Sequence, residues 1–241
     1  MYKLPEKITL GGVDFNIRVS VVCLMTAFTP LLLHYQSSFG CDCLRKIGLA
    51  DFWLTQQLCS GMTSVGFNMT VIFFVLPMLA ILLMGEKPTD YGFRIGNWRE
   101  GLIWLLVLCP ITLLLLLYFV PGGPLQSLYR TAYHGGLVGD PTTFALKLML
   151  NGAFILIGWE FLYRGFCLFG LAKIIGPGPA IFIQMIPFAL THQGKPQLET
   201  MSTLFFGVLW GLVGWRTKSF IYPFLLHWFL YISINLISIR S

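Results

Sequence analysis

The sequence predicts an all-α membrane protein whose chain crosses the bilayer as about seven or eight helices. Only 11% of its 241 residues are charged and 56% are hydrophobic, whereas soluble domains carry about 25% charged residues. The apolar residues also form long runs close to the length of a bilayer span, without the alternation of a membrane barrel. This composition excludes a soluble enzyme, a disordered protein and a nucleic-acid-binding domain, and it makes the lipid bilayer a partner of the chain.

Seven apolar runs account for the predicted spans, although some are short. A further half-helix over Phe144–Met149 would raise the number to eight. The residues before the first run are polar and no small-residue cleavage site follows it, so we expect a retained anchor and not a secretory signal. The runs are Val19–Tyr35, Phe67–Met84, Gly101–Val120, Gly152–Ile175, Pro179–Thr191, Met201–Trp215 and Phe220–Ile239.

Lys and Arg residues set the predicted orientation. They are slightly more numerous at the span ends on the side of the N-terminus, which favours a cytoplasmic N-terminus. In this orientation the helix ends near Glu160 and His192 lie outside. We expect an N-terminal two-span region over residues 1–84 and a second region over residues 85–241, which together form one integral membrane domain.

Three of the six cysteines, Cys41, Cys43 and Cys59, lie in the predicted loop Gln36–Val65. A Cys-x-Cys pair without a nearby histidine is not a zinc spacing. The loop would hold one disulfide to Cys59 if it faced an oxidising side, but the weak spacing favours three free or buried thiols. A second loop, Pro121–Pro141, is rich in glycine and proline and is expected to be irregular.

Glu160 lies well inside an apolar run, whereas the other acidic residues lie in loops or at loop edges. An ionised side chain at mid-bilayer costs about 3 kcal/mol, so it must face the bundle interior and find a partner. Arg164 lies four residues later on the same helical face, where the two side chains can pair or line one cavity. A purely structural ion pair is the alternative, but an intramembrane ionisable residue is by default a functional-site hypothesis.

Two histidines accompany this pair on later runs. His192 ends one run, and His227 lies inside the last, with Tyr231 and Asn235 near the same helical stripe. Antiparallel packing would bring His192 to the same end as Glu160, with His227 near mid-depth. A carboxylate in a low dielectric can act as a general base beside a histidine, while a second histidine with an amide or hydroxyl holds an oxyanion. This set suits peptide-bond hydrolysis, and it would also ligate zinc, although the HExxH motif is absent.

These residues resemble the motifs of a known family. The segment GWEFLYRGF resembles the EExxxR motif of the CAAX prenyl protease and bacteriocin-processing family (CPBP, or Abi) of intramembrane proteases. Phe188–His192 (FALTH) matches its FxxxH motif, and His227 stands where its HxxxN motif begins. The run GEKPTDYGFRIGNWREG is similar to the segment before a span in many bacterial members, and HQGKPQLE is similar to an HxxKPxxE variant. The resemblance covers residues 85–240 approximately.

The resemblance implies an intramembrane endopeptidase of the glutamate and histidine type in a bacterial cytoplasmic membrane. Its substrate would be a membrane-associated peptide or protein. The resemblance favours a metal-free mechanism, with zinc as the alternative cofactor. The expected catalytic residues are Glu160 as the base, His192 as its partner, Arg164 as the group that orients Glu160, and His227 with Tyr231 or Asn235 as the oxyanion site.

Two positions depart from the family's motifs. With the register set on Arg164, Trp159 replaces the first glutamate, which is usually assigned to water activation, and Tyr231 stands at the asparagine position of the third motif. Glu160 would then be the base itself, or Glu199 would reach into the pocket from the start of the next span. The alternative is a pseudo-protease that binds a peptide as an immunity factor or membrane scaffold. A proton-carrying transporter would show paired half-repeats, which are not visible.

Overall fold

A computed structural model describes residues 6–133 and 141–240 of the chain. Six helices in these ranges are long and apolar enough to cross a membrane, and Pro177–Leu190 is a shorter apolar helix. The prediction of an all-α polytopic membrane protein is therefore confirmed, apart from one short N-terminal hairpin. The six candidate spans are Ile17–Tyr35, Thr63–Leu83, Trp98–Phe119, Phe144–Ile175, Gln197–Thr217 and Ile221–Ile239.

The secondary-structure elements follow one another with short connections. Strands β1 (Lys7–Leu10) and β2 (Val13–Asn16) pair as an antiparallel hairpin, and the Asn16 side chain caps the first helix by accepting the Val19 N–H at 3.2 Å. The helices are α1 (Ile17–Tyr35), α2 (Phe39–Lys46), α3 (Trp53–Leu58), α4 (Gly61–Thr70), α5 (Leu76–Leu83), α6 (Trp98–Phe119), α7 (Pro124–Tyr133), α8 (Pro141–Glu160), α9 (Leu168–Ile175), α10 (Pro177–Leu190), α11 (Gln197–Thr217) and α12 (Ile221–Arg240).

One long helix forms the centre of the bundle. A π-helical turn, Phe161–Cys167, joins α8 to α9 without a break, and the residues from Phe161 to Ala172 are all buried. Half of the apolar window of this central helix is buried (50%), against 6% for α6. Phe144–Met149 is the beginning of this helix, so the separate half-helix considered from the sequence is not present.

Two glycines let neighbouring helices approach the central helix closely. A Cβ atom at Gly158 would lie 3.0 Å from the Met69 carbonyl oxygen, so α4 packs almost backbone to backbone against it. A Cβ atom at Gly152 would lie 2.5 Å from the ring of Tyr231, so α12 rests its tyrosine on this glycine. Small residues at helix contacts allow such packing inside a membrane.

The segment Pro121–Pro141 is not simply irregular, because it contains α7. Proline at the first position of a helix is favoured since its missing N–H has no partner there anyway, and Gly122 supplies the left-handed turn before it. The helix packs against α12. Residues 134–140 of the predicted loop lie outside the described residues.

A disulfide joins Cys41 to Cys59, with their Cα atoms 5.7 Å apart. The expectation of three free or buried thiols was therefore wrong for this pair, because α2 and α3 fold back on each other and bring the two residues together. Cys43 is free and exposed. Disulfides persist on oxidising sides of membranes, which agrees with the orientation that places the loop between α1 and α4 outside.

This arrangement predicts a labelling pattern for the outer loop. In right-side-out membrane vesicles, a membrane-impermeant maleimide should label Cys43 without reductant, and should label the half-buried Cys59 only after reduction. The measurement is mass spectrometry of the labelled peptides, with Cys43→Ser as the control that removes the first signal. Labelling of Cys59 before reduction would show that the disulfide is absent.

A charged cluster on the opposite side of the bundle ties distant segments together. Glu86 accepts hydrogen bonds from Lys173 (2.9 Å), Tyr91 (2.8 Å) and Arg18. These residues belong to the ends of α9 and α1 and to the loop between α5 and α6. Burial alone would raise the pKa of the Glu86 carboxyl, but the hydrogen bonds from Lys173, Tyr91 and Arg18 outweigh it and hold this pKa below its usual value.

The Glu86 cluster predicts a pH-dependent contribution to stability. Since the pKa of Glu86 is lower in the folded state, its carboxylate stabilises the fold above the unfolded pKa of about 4.3, and this is lost as the pH falls through the folded pKa. Glu86→Gln should lower the free energy of unfolding by about 1–3 kcal/mol at neutral pH. Thermal unfolding in detergent should show the difference from the unmodified protein shrinking towards about pH 3. Asp90→Asn, on the exposed surface of the same loop, is the matched control.

Candidate active site

The site lies where the π-helical turn of the central helix meets α10, α11 and α12. Glu160 is the last residue of α8 and Arg164 lies inside the π-helical turn, and both side chains are fully buried. A guanidinium nitrogen of Arg164 donates to Glu160 Oε1 at 3.2 Å. The predicted pairing of these two residues is confirmed. Turns of this kind are common at functional sites.

His227 of α12 is the histidine that contacts the buried carboxylate. Its Nδ1 lies 2.6 Å from Glu160 Oε1. Among the described residues the hydrogen bonds of Glu160 run to Arg164 and His227, and none runs to His192. The hypothesis that His192 is the partner of Glu160 in the reaction stays a prediction, and the direct hydrogen bond of Glu160 to a histidine is the one to His227. Glu160 lies near the middle of its helix, because the span begins at Phe144 and not at the predicted start, Gly152.

Aromatic rings surround the positive charge of Arg164. Its guanidinium carbon lies 3.9 Å from the centroid of the Phe188 ring and 5.4 Å from that of Trp210. Desolvation of a buried ion pair costs several kcal/mol, and contacts with ring faces recover part of that cost for a cation. The pair therefore links the central helix to α10 and α11 as well as to α12.

His192 follows the end of α10 and is nearly buried, with 5% exposure. Its Nδ1 lies 2.8 Å from the Phe188 carbonyl oxygen, and its ring centroid lies 5.4 Å from that of Trp159. Burial, followed by the charge of Lys195, lowers the pKa of His192 to about 3. The imidazole is therefore neutral at neutral pH. Its Nδ1–H donates to the carbonyl, which leaves Nε2 as the acceptor.

Glu199 lies in the first turn of α11 and is held by two neighbours. Lys195 Nζ donates to Glu199 Oε1 at 2.6 Å, and the Tyr129 hydroxyl donates to the same oxygen at 3.0 Å. The carboxylate is thus anchored at the outer end of the site. The sequence-based hypothesis that Glu199 reaches the pocket is supported by its position in the wall of the cavity described next.

A cavity of about 280 Å³ lies between these groups. Glu160 and Asn235 are fully buried and are not among its lining residues. The Asn235 amide instead donates to the Tyr231 carbonyl oxygen at 2.7 Å. The polar or charged side chains in the wall are those of Tyr129, Trp159, His192, Lys195, Glu199, Ser202, Thr203, His227 and Tyr231.

Trp159, which replaces the first glutamate of the family motif, forms part of the cavity wall. Its side chain is 8% exposed, and its indole N–H has no hydrogen-bond partner among the described residues. Its ring packs edge-on against Phe73 at 5.3 Å. The wall position next to His192 is therefore filled by an aromatic ring, whereas the neighbouring Glu160 is not among the residues that line the cavity.

The residues do not assemble a three-ligand zinc site. Zinc in hydrolytic enzymes takes three protein ligands and keeps one position open. Over residues 6–133 and 141–240, no group of three or more His, Cys, Asp and Glu side chains is placed to hold a metal ion. The zinc alternative therefore does not fit the arrangement.

The family assignment rests on the segment that holds the site. Residues 141–233 match the family model described as "Type II CAAX prenyl endopeptidase Rce1-like". This part of the chain is therefore similar to the family whose motifs the sequence resembles. No curated protein and no solved structure gives a significant match to the chain. The family match and the six apolar helices identify an integral, multi-pass membrane protein with the core of a CAAX-type intramembrane endopeptidase.

The sequence reasoning missed four polar residues of the cavity wall, Tyr129, Lys195, Ser202 and Thr203, and the first two of these hold Glu199. Tyr129 lies in α7, within the segment that was expected to be irregular. The signal for Lys195 was present in the sequence, since Lys195 and Glu199 are four residues apart and such pairs meet on one side of a helical turn. The signal for Tyr129 was weaker, because only tertiary packing brings α7 to the start of α11.

Removal of one member of the buried pair predicts a loss of stability. Arg164→Met leaves the Glu160 carboxylate buried without its cation and should cost about 3–5 kcal/mol. The double variant Glu160→Gln/Arg164→Met removes both charges and should recover most of this loss. Thermal unfolding in detergent micelles measures both. Equal destabilisation of the single and double variants would show that packing, and not charge, accounts for the loss.

Proposed function

We propose that the protein is an intramembrane endopeptidase of the glutamate and histidine type, in which Glu160 acts through His227. One observation carries the proposal: the Glu160 carboxylate holds His227 by its Nδ1 at 2.6 Å, and His227 lines the cavity that His192 and Glu199 also line. This arrangement leaves Nε2 of His227 as the ring nitrogen that can face a bound peptide bond. The substrate would be a peptide or protein within the membrane.

The arrangement supports water activation by the histidine. Nδ1–H of His227 donates to the carboxylate, which sets the tautomer so that Nε2 carries the lone pair. Nε2 accepts a proton from water as the water oxygen attacks the carbonyl carbon, and it later returns that proton to the leaving amine. The Glu160 carboxylate stabilises the imidazolium in between, which is the role of the acidic member of a catalytic triad. The hydrogen bond from Arg164 holds the Glu160 carboxyl group in place.

Other cavity residues would stabilise the oxyanion. Tyr231 lines the cavity and stands at the asparagine position of the family motif, so its hydroxyl would be one donor to the oxyanion. The Lys195 ammonium is a further donor at the outer end of the cavity. Neutral His192 would accept a hydrogen bond from the water or the substrate. Asn235, which is buried away from the cavity, would support the backbone at Tyr231 and not contact substrate.

A substitution series tests this assignment. Glu160→Gln and His227→Ala should each lower kcat by about 10²–10⁴-fold, the usual contribution of general acid–base catalysis. The double variant should be no worse than the single variants, because residues that act as a unit are non-additive. Cleavage of a defined peptide library in proteoliposomes, followed by mass spectrometry, measures the effect. His34→Ala at the end of α1 is the histidine control.

Other outcomes of the same series would assign the chemistry differently. If Glu160→Gln and His227→Ala both leave cleavage intact, the assignment of the chemistry to Glu160 and His227 fails. If Glu160→Gln is silent while Glu199→Gln is inactive, Glu199 is the base. We infer that the protein would reside in a bacterial cytoplasmic membrane, as the similarity of its loop before α6 to bacterial members suggests.

A second candidate function is a pseudo-protease that binds a peptide without cleaving it. The observation that favours it is Trp159 in the cavity wall, where the family motif has its first glutamate. An immunity factor or membrane scaffold would need the cavity but not the chemistry. Peptide binding by the unmodified protein without any cleavage product would support this candidate over the protease.

A further inference from the structure

The segment just before α6, residues 92–97, is held against the turn between α11 and α12, on the side of the bundle opposite the disulfide. The Asn97 N–H donates to the Thr217 carbonyl oxygen at 2.8 Å, and the Ser219 hydroxyl donates to the Arg94 carbonyl oxygen. A Cβ atom at Gly96 would lie 2.0 Å from the Thr217 carbonyl oxygen, so glycine is needed for this close approach. The two segments therefore form one surface, which has no part in the chemistry proposed for the cavity.

This surface holds two cations, Arg94 and Lys218, next to each other. The Arg94 Nε–H donates to the Lys218 carbonyl oxygen at 3.0 Å, and the Lys218 ammonium nitrogen lies 3.4 Å from the centroid of the Trp215 ring. Burial, followed by the charge of Arg94, lowers the pKa of Lys218, so the two charges repel each other. The fold thus maintains an unfavourable pair of like charges, which an anion bound beside them would offset.

The backbone at Lys218 is strained as well. Lys218 ends α11 in the left-handed conformation, with a φ of 57°, and it is the one non-glycine residue with a positive φ in the described parts of the chain. Glycine is the usual residue at such a helix end because it has no Cβ atom. Strained residues of this kind cluster at functional sites. A lysine here keeps a positive charge at a position where glycine would fit with less strain.

Glu100 is the carboxylate that partly offsets the charge of Lys218, but it has other partners. Its Oε1 accepts a hydrogen bond from Arg216 Nε at 2.7 Å, and its Oε2 accepts one from the Asn97 amide at 3.1 Å. Over residues 6–133 and 141–240, neither Arg94 nor Lys218 forms an ion pair. Three cations therefore stand against one carboxylate on this surface, and an anion would find unpaired positive charge there.

Exposed apolar side chains flank the two cations at the level where a span begins. Phe93, Ile95 and Trp98 are 45%, 67% and 56% exposed, and Trp98 is the first residue of the candidate span Trp98–Phe119. Aromatic residues at this level lie among the lipid headgroups. A ligand that contacts both the cations and these side chains must carry an anionic group and apolar chains. An anionic phospholipid carries both, and the cytoplasmic leaflet is rich in such lipids.

We propose that Arg94 and Lys218 bind the phosphate of an anionic phospholipid in the cytoplasmic leaflet, with Phe93, Ile95 and Trp98 beside its acyl chains. The terminal nitrogens of the Arg94 guanidinium would donate paired hydrogen bonds to two phosphate oxygens, and the Lys218 ammonium would add a second positive charge. The proposal does not depend on the proposed function, because a pseudo-protease would bind the same lipid at this surface.

Native mass spectrometry of the full chain in detergent micelles tests the site. The probes are phosphatidylglycerol, phosphatidylcholine with the same acyl chains, and inorganic phosphate as a competitor. Arg94→Gln/Lys218→Gln removes the two cations, whereas the control Lys7→Gln/Lys87→Gln removes two exposed cations elsewhere on the same side of the bundle. Thermal unfolding of each variant without added lipid shows whether it is folded.

The unmodified protein and the control variant should bind phosphatidylglycerol about tenfold or more tightly than phosphatidylcholine, because each basic residue near an anionic headgroup contributes about fivefold in affinity. Arg94→Gln/Lys218→Gln should reduce this preference to about twofold or less. If the unmodified protein binds the two lipids equally, if the double variant keeps the preference, or if the control loses it as well, the site is not present. If inorganic phosphate competes as strongly as free phosphatidylglycerol, the site takes phosphate from solution and the lipid assignment is wrong.

Lys218→Gly separates lipid binding from stability, because glycine removes the charge and also relieves the backbone strain. This variant should lose about fivefold of the preference for phosphatidylglycerol, while its Tm is equal to or higher than that of the unmodified protein. It also decides the question if Arg94→Gln/Lys218→Gln does not fold. A weaker preference accompanied by a lower Tm would show that Lys218 has a structural role, and it would overturn the proposal.

Discussion

The buried carboxylate of Glu160 is the constraint on which the rest of the site depends. An ionised group inside the bilayer must be partnered, and Glu160 meets this requirement with Arg164 on its own helix and His227 on α12. The Arg164 guanidinium in turn rests on Phe188 of α10 and near Trp210 of α11. One charged cluster thus sets the relative positions of the four helices that surround the cavity.

The same constraint gives the motif residues different tasks. Because Glu160 is fully buried, the imidazole of His227, and not the carboxylate, lines the cavity. Trp159 occupies the neighbouring wall position and packs against His192. An aromatic ring therefore lines the cavity where the family motif has its first glutamate. The chemistry proposed for the site therefore passes through a histidine that a buried acid holds in place.

Contacts on both sides of the bundle support this centre. On one side, the disulfide between Cys41 and Cys59 closes the loop that follows α1. On the other side, Glu86 joins the ends of α1 and α9 through Arg18 and Lys173. The central helix is the most buried of the candidate spans, and α6 is the least buried.

The sequence by itself determined the solvent, the helical class, the buried Glu160–Arg164 pair and the family, because these follow from apolar run length, from the cost of a charge in lipid and from local motifs. It did not determine which histidine meets Glu160. The choice depends on how deep Glu160 lies in the membrane, and hence on where the long helix begins. The ends of an apolar run do not show where the helix begins. The disulfide and the place of Tyr129 likewise required tertiary contacts between distant segments. The tertiary structure alone decided that Glu160 is hidden behind His227, because burial and side-chain direction are properties of the packed helices and not of one helix.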